Sequence, residues 1–144
     1  MNFQKIVVAT DFSPASTAAL ERAAAMAKSA GAELHVIHVV EALMYRGVTY
    51  EEPFSPNAHK EERAAAQKAI AEAVEDLGED HTPASIEIVD GEPRNAIVAH
   101  AEMIGADLIV LGSHGRGRFH DFILGSTAGH VGQLASCSVL VVKI

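Results

Sequence analysis

A single cysteine, Cys137, stands among 144 residues, so an internal disulfide is excluded and the fold must hold without a staple. That cysteine usage suits a reducing compartment, and the chain is expected to be cytoplasmic. Tryptophan is missing, and two tyrosines and five phenylalanines make up the whole aromatic complement. The core must therefore be built from Ala, Val, Ile and Leu, which a 49% apolar composition allows. Cations are scarce as well: six arginines and five lysines face 19 acidic residues, for a net charge of −8. Nucleic-acid surfaces normally carry a basic stripe, so that class of partner is excluded. No apolar run approaches the ~18 residues that would span a bilayer, so no membrane insertion is expected. The opening MNFQKIVVATDF reaches Asp11 before a signal-peptide core can form.

What is present alternates. Short β-rich runs are separated by longer stretches of helical pattern, over a length that fits one domain, residues 1–144. KIVVAT (5–10) reads as a strand. Ser13 then suits an N-cap, with Pro14 at the first helical position and Gly31 as the stop. ELHVIHVV (33–40) is the second strand. From Tyr45 to Asn57 the sequence is polar, holds two prolines and reads as a surface loop. An alanine-rich helix follows over 58–78, then SIEIVD (85–90), then a helix opened by Gly91-Glu92-Pro93. ADLIVL (106–111) and SVLVVKI (138–144) complete five strands.

This alternation predicts an α/β fold: one doubly wound domain whose five-stranded parallel sheet has helices on both faces. Strands 1, 2 and 4 are nearly continuous apolar runs, as strands buried on both faces must be. The third alternates, as an edge can. An order of 3-2-1-4-5 follows, with a switch point between strands 1 and 4. Ligands in such sheets bind beyond the C-terminal strand ends at that point, where Ala9-Thr10-Asp11 should face the loop that starts at Gly112. Strand 5 would be an apolar edge, which invites pairing with another chain.

That loop, GSHGRGRFHDFILGSTAGHV (112–131), holds five of the eleven glycines. It is not a Walker A loop, because Arg118 and Phe119 stand where Lys and Ser/Thr belong. The dinucleotide fingerprint also fails, with His120 at its third glycine and the wrong strand before it. What fits is G-x2-G-x9-G-S at Gly112, Gly115, Gly125 and Ser126. Together with IVVATDFS, LHVIHVV, DGEP, IVLGSHG and VLVVKI, this spaced motif resembles the ATP-binding branch of the universal stress protein family along essentially the whole chain.

The resemblance implies an ATP site made by Ala9, Thr10, Asp11, Val39, Leu111, Gly112, Ser113, His114, Gly115, Arg116, Gly117, Arg118, Gly125, Ser126 and Thr127. Gly112 and Gly115 would let the backbone approach ribose and phosphates. Gly125, Ser126 and Thr127 would offer N–H groups and hydroxyls to phosphate oxygens at a helix start. Asp11 would face adenine or ribose, and Val39 would meet the adenine through its backbone. The side chains of Arg116 and Arg118 would add charge-assisted bonds to phosphate. Mg2+ would bridge the phosphates, with Ser126 as its protein contact.

The resemblance further implies a homodimer, or a higher oligomer, through Val139, Leu140, Val141 and Val142. It also implies a regulated partner such as a transporter or an enzyme. The missing Walker lysine points to ATP being held, with at most slow hydrolysis. The other readings are a nucleotide hydrolase or adenylyl-transferring enzyme on the same fold, and a nucleotide-free interaction module.

Each residue also has a plainer reading. Asp11 before Ser13-Pro14 can simply support a helix start. His114, His120 and His130 match no standard zinc spacing, and His114 can serve to shape the loop. His35 and His38, three apart on one strand, should face opposite sides as local hydrogen-bonding groups. Cys137 reads as a small buried apolar residue. Two departures from the family pattern stand out. Ser138 follows Cys137 where proline is usual, and Gly129 and Gly132 fall inside the last helix, each at a cost of about 0.8–1 kcal/mol relative to Ala. Close packing or a mobile helix would account for those glycines.

Overall fold

The β-rich runs form the strands Lys5–Ala9 (β1), Glu33–Glu41 (β2), Ser85–Gly91 (β3), Leu108–Gly112 (β4) and Ser138–Val142 (β5). Between them lie the helices Pro14–Ala30 (α1), Pro56–Glu75 (α2), Pro93–Ile104 (α3) and Ser126–Leu134 (α4). The structure, a computed structural model, describes residues 2–41, 56–114 and 124–144. The strands make one sheet in the order β3-β2-β1-β4-β5, and every pairing is parallel.

Proline opens α1, α2 and α3 at a position where its missing N–H would have had no helical partner. Ser13 caps α1, its side chain accepting from the Ser16 N–H. Gly31 and Gly105 end α1 and α3 in the left-handed region, at φ 67° and 72°. Proline's fitness for the first turn also moves one boundary. Pro56 and Asn57, expected in a loop, begin α2, and that helix ends at Glu75, with Gly78 at φ 93° in the turn that follows. Residues 45–55 of the expected loop lie outside the described residues.

Strand alternation divides the core in two. Ile6, Val8, Leu34, Val36 and Val110 pack under Leu20, Ala23, Ala24 and Ala27 of α1 and Ile70 of α2. On the other face Val7, Ile37, Ile109 and Leu111 meet Ile97, Val98 and Ala101 of α3 and Ala128 and Val131 of α4. Each Val, Leu or Ile among them contributes about 1.5–3 kcal/mol by leaving water.

β4 starts at Leu108 rather than Ala106, because the Asp107 side chain turns to accept the N–H groups of Gln4 (2.8 Å) and Lys5 (3.1 Å). That bond pins the entry of β1. β5 stops at Val142, before Lys143 and Ile144.

The two edges differ. Arg63 of α2 donates to the Ile88 carbonyl of β3 at 3.0 Å and pairs with Asp90 at 2.9 Å. His59 also reaches Asp90, at 3.1 Å. At the other edge, Val139, Leu140 and Val141 of β5 are half-buried.

Candidate functional site

At the C-terminal ends of β1 and β4, where the connections diverge to opposite faces, the sheet opens into a cavity of about 720 Å³. β1 and the turn after it supply Ala9, Thr10, Asp11 and Phe12. β2 supplies His38, Val39 and Glu41, and β4 with its following residues supplies Leu111, Gly112 and His114. Gly125, Ser126, Thr127 and Ala128 of the α4 start close one wall, and Pro93 and Ile97 of α3 lie beside them. Ser16 of α1 and Glu62, Ala65, Ala66 and Ala69 of α2 complete the lining.

The turn after β1 is a dense polar knot. Thr10 continues the β1–β2 ladder by donating its N–H to the Ile37 carbonyl at 3.0 Å. Its hydroxyl lies 3.1 Å from Ser16 Oγ and accepts the Phe12 N–H at 3.1 Å. Asp11 accepts the Ser13 N–H on Oδ1 at 3.0 Å, so the plainer reading of that carboxylate holds: it does brace the start of α1. The same residue also lines the cavity, and the two placements are compatible.

Phe12 stands at φ 65°, a left-handed backbone that costs a non-glycine residue about 1–2 kcal/mol. What holds it there is the stack of its ring on His38, with centroids 4.6 Å apart, and the bond to Thr10 Oγ1. His38 Nδ1 lies 2.7 Å from the Thr10 carbonyl. A carbonyl only accepts, so Nδ1 carries the proton. Strain of this kind, offset by surrounding contacts, is typical of functional turns.

The other wall is held by backbone. Ser113 donates its N–H to the Val142 carbonyl at 2.9 Å and accepts the Gly125 N–H at 2.7 Å, which closes the loop on itself. Ser113 is buried behind the wall and is absent from the cavity lining, unlike its neighbours Gly112 and His114. Gly125 is the N-cap of α4 and offers no capping side chain, so the first-turn amides keep their capacity for an outside acceptor. Among the described lining residues the charges are the carboxylates of Asp11, Glu41 and Glu62, with no lysine or arginine.

Two glycines have reasons that the sequence did not disclose. A Cβ on Gly112 would sit 2.7 Å from the Ala15 carbonyl carbon and 2.9 Å from its Cβ and O, so the close approach of α1 requires this glycine. A Cβ on Gly125 would lie 3.1 Å from Ser113 O and from His114 Cα. Among the described residues, close packing does not explain the helical glycines: a Cβ on Gly132 would meet nothing within 4 Å, and one on Gly129 only Leu124 Cδ2 at 3.8 Å. Nothing among the described residues requires either.

Of the expected residues, Ala9, Thr10, Asp11, Val39, Leu111, Gly112, His114, Gly125, Ser126 and Thr127 come together on the cavity wall. Gly115, Arg116, Gly117 and Arg118 lie outside the described residues. Sequence reasoning missed Phe12, His38, Pro93, Ile97 and the α2 contribution. The Gly91-Glu92-Pro93 turn and the alanine run of α2 were visible, but nothing local says that they face a ligand.

Comparison with known proteins agrees with this architecture. The profile of the universal stress protein family matches residues 2–143. Universal stress protein YxiE of Bacillus subtilis is 35% identical over 147 residues, covering 98% of this chain and 99% of that protein. The solved structure of MJ0577, from Methanocaldococcus jannaschii, superposes with a TM-score of 0.84 at 28% identity and covers 100% of this chain and 98% of that one. A universal stress protein solved in complex with cAMP superposes with a TM-score of 0.67 at 26% identity, covering 99% and 98%. A five-stranded sheet of this order, a cavity at its switch point and a profile match over nearly every residue place the chain in the universal stress protein family.

Proposed function

We propose that this protein binds ATP in the switch-point cavity and acts as a regulatory protein of stress response, holding the nucleotide rather than consuming it. The observation that carries the reading is the cavity itself. Asp11 and Val39 line one side of it, where ribose and base would lie, and the first turn of α4, whose N-cap Gly125 has no capping side chain, lines the other, where phosphate would lie. The related protein solved with cAMP supports an adenine nucleotide as the ligand class. Gly125, Ser126 and Thr127 meet phosphate oxygens through N–H and hydroxyl groups. A polyanionic triphosphate needs a counter-charge to leave water. Mg2+ on the phosphates, with the Ser126 hydroxyl as its protein contact, supplies it. Arg116 and Arg118 are assigned the same role.

In this reading occupancy is the signal. Nucleotide shifts the balance between arrangements of the loop after β4, and with it the binding of a regulated partner, a transporter or an enzyme. The protein works as a homodimer joined through β5. Arg63 already covers a carbonyl of the β3 edge, whereas β5 offers the half-buried row Val139, Leu140 and Val141 followed by the buried Val142.

The test is direct. Protein purified without added nucleotide is denatured and its supernatant run on ion-pair chromatography, and emptied protein is titrated with Mg-ATP and with cAMP by calorimetry. Co-purified ATP or an ATP-preferring isotherm is expected. Absence of both nucleotide and binding heat would overturn the reading, and turnover well above background without a partner would favour the hydrolase. Sedimentation equilibrium should give a dimer, and a monomer at every concentration removes the β5 interface.

A further inference from the structure

At the opposite end of β2 from the cavity, three side chains stand in a row on the α3 face of the sheet. His35 pairs in register with Ser85 of β3, and Glu33 lies two residues before it on the same face. Ser85 Oγ is 2.6 Å from His35 Nδ1, and Glu33 Oε2 is 2.9 Å from His35 Nε2. The hydrogen-bonding inventory decides the protons. An ionised carboxylate only accepts, so in the neutral ring Nε2 carries the hydrogen and Nδ1 presents its lone pair. Ser85 is then the donor, with its hydroxyl proton already directed at a base. This is the serine–base–acid arrangement in which a hydroxyl becomes a nucleophile.

The surroundings suit that role. The His35 side chain is only 11% exposed, so its bonds compete little with water, while Glu33 is 53% exposed and Ser85 half-buried, which leaves the row an open side. Glu87 of β3 and the buried His100 of α3 are the neighbouring titratable groups that bear on this face. From His35 to Val39 the strand runs about 13 Å, so this row and the nucleotide cavity are separate sites.

We propose that Ser85 is a base-activated nucleophile that accepts small acyl groups from activated donors such as aryl esters or acyl phosphates, with His35 as the base and Glu33 as its orienting acid. Ser85 Oγ bonds to the acyl carbon while its proton passes to His35 Nδ1. The bond from that carbon to the donor oxygen breaks, and the phenolate or phosphate leaves with the electron pair. Glu33 holds the imidazolium meanwhile. The imidazolium gives its proton to the departing oxygen, and neutral His35 then deprotonates a water that attacks the acyl carbon. The carbon–Oγ bond breaks, Ser85 Oγ takes the proton back from His35 Nδ1, and the carboxylic acid leaves.

The experiment uses the full chain and p-nitrophenyl acetate. A stoichiometric burst of nitrophenolate is expected, with one acetyl group on the peptide containing Ser85 in mass spectra of the quenched reaction. A fluorophosphonate should label the same residue. Ser85→Ala removes both, and His35→Gln slows acylation about 10²-fold or more. Glu33→Gln slows it while leaving the serine and the base in place. Mg-ATP titration of each variant serves as a folding and independence control and should match the parent protein. A burst that survives Ser85→Ala is surface imidazole chemistry and overturns the proposal. So does acetylation of Ser85 no faster than of serines in the urea-unfolded chain, which would leave the row as a tie between β2 and β3 only.

Discussion

Replacing Gly112 by alanine separates a packing role from a ligand role. The added Cβ would stand 2.7 Å from the Ala15 carbonyl carbon and 2.9 Å from the carbonyl oxygen, both main-chain atoms. Carbon–carbon contacts relax only near 3.5 Å, so the first turn of α1 or the end of β4 must move by about 0.8 Å. Neither can move freely. Ser16, in that same turn, bonds the Ser13 carbonyl at 3.0 Å, reaches Thr10 Oγ1 at 3.1 Å and accepts from the Asp11 N–H at 3.3 Å. Overpacking of a tight contact costs about 1–3 kcal/mol, and each bond lost from the knot adds about 1 kcal/mol. We therefore expect Gly112→Ala to lose about 2–3 kcal/mol in urea unfolding followed by circular dichroism, with an unchanged m value and no nucleotide present. Because Thr10 and Asp11 line the cavity, nucleotide affinity should fall with it. A variant within 0.5 kcal/mol of the parent would refute the packing argument and return Gly112 to a role in ligand approach alone.

Gly132→Ala should act in the opposite direction. The site is helical, exposed and, among the described residues, open to a Cβ, so a gain of about 0.8–1 kcal/mol is expected, and a loss by the same urea assay would show a constraint that those residues do not reveal. His100, 7% exposed and with no hydrogen-bond partner for Nε2 among the described residues, has its imidazole pushed below the ordinary value chiefly by burial. The folded chain thus binds fewer protons than the unfolded one as pH drops through about 6.5, so stability falls from there downward and levels off below the folded pKa. His100→Leu should flatten the stability profile between pH 7 and 5, and an unchanged slope would disprove the assignment. Arg63→Met should cost about 1 kcal/mol, mainly through the Ile88 carbonyl rather than the part-exposed Asp90 pair, and that cost should persist in 0.5 M salt; a loss that salt abolishes would reverse the attribution.

Much of the architecture was legible because it rests on local chemistry. Apolar continuity in 5–10, 33–40 and 106–111, against alternation in 85–90, was enough to order the strands, and Ser13 and Gly31 marked the ends of the first helix by capping rules that need no tertiary context. Where boundaries moved, a residue had two good local fates. Pro56 suits a loop and a first turn alike, and Asp107 left the strand because two amides of β1 claimed it. The cavity wall was half legible: the glycines and Asp11 stood out by type, while Pro93, Ile97 and the α2 alanines face it only through packing. Gly112 was noticed for its freedom near a ligand, yet it is Ala15 that demands it, a neighbour 97 residues away that no motif names.

The histidines of β2 show why pair chemistry was the least legible layer. Period two alone places His35 and His38 on opposite faces, and the structure agrees. Which partners they find there depends on the register of β2 against β1 and β3. His38 meets the Thr10 carbonyl across 28 residues, and His35 meets Ser85 across 50. A shift of one residue in β3 would turn Ser85 to the other face and set Ile86 against His35. The register itself is held from outside, by Arg63 and His59 on Asp90 and by the Ala84 N–H on the Leu34 carbonyl at 2.7 Å. An edge strand fixed at both ends can keep a 2.6 Å contact between a serine and an imidazole, and that contact is where the proposed acyl chemistry begins.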